Sequence, residues 1–181
     1  MQMEPLGSPL PFWNICRRVY LVWAVLLGIG FAATQFHQEA NINWLWLVIS
    51  LIGLGYMVRQ TSLPEFRTAG LAHLYFVGLV WTLVIAQGMI LSVLPFVGRT
   101  PLAALGQYLG VFWLWQMGLG HWLNGLVDPP RLPYWMTGGI QILAGVACLL
   151  WGLEWQFAVA GGIGALAMLL YDPVALTRSL I

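Results

Sequence analysis

The chain has 181 residues, of which 60% are hydrophobic and only 7% charged, and its net charge is +1. A soluble domain carries about 25% charged residues, so this composition excludes an ordinary water-soluble fold and names lipid as the solvent for most of the surface. The near-neutral balance also excludes the basic footprint of a nucleic-acid-binding protein.

The first 18 residues contain Pro5, Pro9 and Pro11 beside Phe12 and Trp13. They read as a segment on the cytoplasmic interface, with prolines that argue against a helix. Arg17 and Arg18 then precede the first apolar run, Val19–Phe36. That run follows too much Pro-rich sequence to read as a cleaved signal. Further runs long enough to cross a bilayer, at about 20 residues each, cover Ile42–Val58, Gly70–Val97, Pro101–Val127, Leu132–Leu153 and Gln156–Tyr171. Breakers separate them: Pro64, Gly98 and Pro101, Asp128-Pro129-Pro130, and Asp172-Pro173. Proline deletes an amide donor and pushes the residue before it out of helix, so these sites end spans.

The expected fold is therefore all-α, a polytopic transmembrane helical bundle of six spans over residues 19–172, with a cytoplasmic tail at 173–181. Arginine counting sets the orientation. With both termini in the cytoplasm, Arg17, Arg18, Arg59, Arg67, Arg131 and Arg178 all lie inside and only Arg99 outside. A bacterial inner membrane or its equivalent is the expected location. Cys16 and Cys148 fall at opposite ends of their spans and are not expected to bridge.

Sliding the chain by about half its length places Trp23, Gly28 and Gly30 on Trp113, Gly118 and Gly120, with Gly55 on Gly145 and Trp44 on Tyr134. Two halves of three helices run in opposite directions, so the register predicts a 3+3 inverted repeat of the kind transporters use. Small residues allow close helix approach in lipid. Ala24, Gly28 and Ala32, then Gly106 and Gly110, and finally Ala158, Gly162 and Ala165 are the expected packing stripes. Trp44, Trp46, Trp135, Trp151 and Trp155 read as interfacial belts. Trp23, Trp81, Trp113 and Trp115 lie deeper.

Polar groups inside hydrocarbon each need a reason. His73 and His121 fall at similar depth on the third and fourth spans. They are the candidate axial ligands for haem b or a chlorophyll-like pigment, against the plainer reading of packing hydrogen bonds. His121, Asn124 and Asp128 share one helical face through spacings of three and seven, and Gln107 extends that stripe. Gln87, Gln141, Asn124 and Trp113 are the candidate residues for a bound small molecule. No HExxH, GxSxG or P-loop pattern occurs, so an enzyme is not expected. Three functions remain: a non-catalytic subunit of a larger membrane complex, a haem- or pigment-binding electron-transfer subunit, and a small-molecule transporter or membrane substrate-binding protein. The expected partners are the bilayer and either other membrane subunits or further copies of the chain, with no nucleic acid.

Overall fold

In the computed structural model the described residues are 10–37, 42–64, 72–97, 101–127 and 131–170. They form six long helices: α1 (Leu10–Phe36), α2 (Ile42–Thr61), α3 (Ala72–Val97), α4 (Leu109–Val127), α5 (Arg131–Trp151) and α6 (Gln156–Leu170). A 3-10 stretch, Pro101–Tyr108, leads into α4, and a 3-10 turn, Leu153–Trp155, leads into α6. Four segments are long and apolar enough to cross a membrane: Arg17–Phe36, Ile42–Thr61, Phe76–Val93 and Leu132–Trp151. Their outward positions are mostly apolar, with Val25, Leu51, Leu83 and Leu143 all exposed. That is the reverse of a soluble bundle and matches a lipid surface.

Two sequence expectations shift. Helix α1 starts at Leu10 and not after the prolines, because Pro11 falls in its first turn, where the missing amide has no partner to lose. The expected fourth span, Pro101–Val127, is not one α-helix. It changes from 3-10 to α at Leu109, and the cause is a side chain from elsewhere. The Oε1 of Gln156, the first residue of α6, accepts hydrogen bonds from Gly110 N at 2.8 Å and Val111 N at 3.2 Å. Its Nε2 donates to the Gln107 carbonyl at 2.6 Å. The first amides of a helix lack intrahelical acceptors, and here one buried amide side chain satisfies two of them.

Helix α4 is the hub, packed against α3, α5 and α6, while α1 packs against α2 and α6. The helices meet through tryptophans seated on glycines. Trp23 of α1 lies over Gly53 of α2, and Trp46 of α2 lies over Gly30 of α1. Trp115 and Trp122 of α4 lie against Gly145 and Gly138 of α5, and Trp135 returns to Gly125. A Cβ at Gly53 would stand 2.6 Å from the Trp23 ring, so the indoles occupy the room that the absent side chains leave. The indole N–H groups find partners as well: Trp46 donates to Thr34 Oγ1 (2.9 Å), Trp113 to Ser92 Oγ (3.0 Å), and Trp122 to the Trp135 carbonyl (3.0 Å).

Trp46 therefore belongs to the core and not to a belt, at 5% exposure. It stacks on Trp113 at 5.6 Å and meets Phe31 edge-on at 4.7 Å. Trp44, Trp151 and Trp155 are exposed near helix ends, as interfacial residues should be. The small-residue stripes also move. The α6 face that packs inward carries Ala160, Gly161 and Gly164, with Gly161 under Phe31 and Gly164 against Met117, whereas Ala158 and Gly162 face outward. Gly106 and Gly110 form no helical stripe, since the helix changes type between them.

Candidate intramembrane polar site

Polar side chains gather where α3, α4 and α5 meet. Helix α4 contributes His121 and, one turn on, Asn124, which are 2% and 0% exposed. Helix α5 contributes Tyr134 and Gln141, equally enclosed, and α3 contributes Trp81. The Trp81 ring meets the imidazole edge-on at 4.9 Å, and the Tyr134 ring lies 6.5 Å from it. The Gln141 amide stands beside the same imidazole but does not meet it at hydrogen-bonding geometry.

The imidazole tautomer follows from its one backbone bond. His121 Nδ1 lies 2.8 Å from the Met117 carbonyl oxygen. A carbonyl can only accept, so Nδ1 carries the proton, and in the neutral ring Nε2 presents a lone pair. The neighbouring amides differ from those of Gln116 and Gln156, although Gln60 near the end of α2 also keeps one partnerless atom, Oε1. Gln116 donates to the Val84 carbonyl, and Gln156 caps α4 as described above. Both polar atoms of Asn124 and both of Gln141 are buried without a hydrogen-bond partner, and so is Nε1 of Trp81.

Such an arrangement is costly. A buried donor or acceptor left unpaired costs about 1–3 kcal/mol, and the hydrocarbon around a spanning helix supplies no substitute partner. Helices α3 and α4 carry no Asp, Glu or Arg, and in α5 the one charged residue is Arg131 at its start. The described residues of the cluster thus offer amide and indole donors, amide oxygens and an imidazole lone pair as acceptors, and no formal charge. Among the described residues no three His, Cys, Asp or Glu side chains come together as a metal site would require.

Three of the residues expected from sequence, His121, Asn124 and Gln141, are brought together. Trp113 is not among them: it sits in the aromatic core with Phe31 and Trp46. Gln87 is exposed on the outer face of α3. Residue 73 lies in the first turn of α3, but its side chain, and with it the His73–His121 pairing, falls outside the described residues, as does Asp128. Gln107 is an exposed member of the 3-10 stretch and does not extend the α4 stripe. Sequence reasoning missed Tyr134 and Trp81 as members of the cluster. A usable signal existed for Tyr134, since it and Asn124 stand equally far in sequence from Pro129, between two helices that pack on each other. Trp81 carried no such mark.

Compared with known proteins, the chain matches no family model, and neither a curated protein nor a solved structure is detectably similar to it.

Proposed function

We propose that the chain is a membrane solute-binding protein of transporter type, which holds a small uncharged polar molecule between α3, α4 and α5. The observation that carries this reading is the set of four partnerless amide atoms on Asn124 and Gln141. They lie in a cluster that also presents the Trp81 N–H and the His121 lone pair. Native proteins keep few buried polar atoms unpaired, and a molecule with both donors and acceptors removes the cost. Among the described residues no formal charge lies in the cluster, which favours an uncharged solute, because an ion would meet no counter-charge among them.

Six crossings with both termini in the cytoplasm complete the proposal, supported by the six-to-one distribution of arginines. The inverted repeat gains support from packing. Exchanging the halves carries the α1–α2 contact onto α4–α5, α2–α3 onto α5–α6, and α1–α6 onto α4–α3, and all six contacts occur. The packing of α4 on α6 has no counterpart of that extent between α1 and α3 among the described residues.

The test uses the protein in lipid nanodiscs with urea, acetamide and glycerol as probes and sodium chloride as the charged control. Tryptophan emission is expected to respond to at least one uncharged probe and not to the salt, and Trp81→Phe should remove the response. Asn124→Leu and Gln141→Leu should each abolish it while raising the unfolding midpoint, because each replaces an unpaired buried amide with apolar volume. Silence of the wild type across the uncharged probes, or a response that survives both leucine variants, overturns the reading.

A further inference from the structure

The lipid-facing side of α3 carries a polar group with no hydrogen-bond partner among the described residues. Phe76, Leu83 and Ile90 recur at seven-residue intervals along that face, and Gln87 stands between the last two; all four are exposed. Gln87 lies about 4 Å along the axis from the middle of the apolar segment Phe76–Val93, at 1.5 Å per residue. The hydroxyl groups along this stretch are satisfied: Thr82 donates to the Gly78 carbonyl at 2.8 Å, and the inward-facing Ser92 accepts from Trp113. Gln87 makes no hydrogen bond among the described residues.

We propose that this stripe is the interface of a parallel homodimer, in which the two copies of Gln87 pair amide to amide across a two-fold axis along the membrane normal. Symmetry supplies the argument for a second copy. Chains inserted with the same orientation hold Gln87 at the same depth, so each amide meets its twin without further design. A carboxamide is both donor and acceptor, hence self-complementary in an isologous contact. A different partner would have to bring its own polar group to that depth, and lipid chains bring none. The seven-residue recurrence is the spacing that keeps two parallel helices in register as they supercoil. This interface stands apart from the Asn124–Gln141 cluster, so neither proposal rests on the other.

The experiment reconstitutes the full chain in lipid bilayers and follows energy transfer between two fluorescent labels on its N-terminus as the chain is diluted with lipid. A photo-crosslinking residue at position 83 or 90 identifies the neighbour. Concentration-dependent transfer is expected, with adducts of twice the chain mass joined through α3. Interhelical hydrogen bonds in membranes average about 0.6 kcal/mol and reach about 1.7, so Gln87→Leu should weaken dimerisation roughly three- to twenty-fold. Gln87→Asn, which keeps a self-complementary amide, should weaken it less. Gln87 faces away from the bundle, so these variants leave the fold intact. A dimerisation constant unchanged in Gln87→Leu, adducts to lipid alone, or adducts to another protein would each overturn the proposal.

Discussion

Tryptophan and glycine act as matched halves in this bundle. A glycine in mid-helix costs about 1 kcal/mol relative to alanine by propensity alone, and only some of these glycines show a local return. At Gly53 the return is the Trp23 ring, which occupies the space a Cβ would need, whereas a Cβ at Gly55 would meet nothing within 4 Å. Gly53→Ala is therefore expected to destabilise the protein by about 1–3 kcal/mol through overpacking. Gly55→Ala should be neutral or stabilising by up to about 1 kcal/mol. Unfolding titrations of the two variants under one set of conditions test this; equal effects would remove the packing account. The same scale separates the two kinds of buried amide. Gln116 and Gln156 are satisfied by backbone groups and act as structural fasteners, while Asn124 and Gln141 are not.

Among the elements, α4 and α6 depend on side chains from other helices for their starting points. Gln156 sets where α4 begins. In the same way Gln35 of α1 accepts from the Ala158 amide at 3.0 Å and donates to the Glu154 carbonyl at 2.8 Å, fastening the start of α6. Removing the Gln156 amide leaves the Gly110 and Val111 N–H groups without their acceptor. Gln156→Leu is expected to cost about 1–3 kcal/mol for the orphaned groups and to loosen the 3-10 stretch. Amide hydrogen exchange at residues 110 and 111 reads the effect directly, and protection equal to wild type would show that another acceptor serves them.

For the whole molecule, the two hairpins α1–α2 and α4–α5 share one packing scheme. The same number of residues separates Trp23 from Trp115 and Gly53 from Gly145, so one tryptophan–glycine contact recurs in both hairpins. That separation also carries Gly30 onto Trp122 and Trp46 onto Gly138, another recurrent contact with the large and small partners exchanged. The register is slightly longer than the one read by aligning like residues, because contact volume is kept at this pair and residue identity is not. The six crossings proposed, an even number, require both termini on one side of the membrane. Reporter fusions at each end should both give the cytoplasmic signal that the arginine distribution predicts; opposite signals would remove one crossing.

Composition and breaker placement alone determined that the chain is helical and built for lipid, because the cost of bare backbone and charge in hydrocarbon acts on every residue regardless of neighbours. Helical spacing alone also placed His121 and Asn124 on one face. What only the tertiary structure decided depends on contacts between helices distant in sequence. Gln156 sets the start of α-helix at residue 109, Trp46 turns inward, and Tyr134 and Trp81 join the polar cluster. Trp113 belongs to the aromatic core and Gln87 to the outer surface. Periodicity places a side chain around its own helix axis, but whether that side meets a neighbouring helix or lipid is settled only when the helices pack.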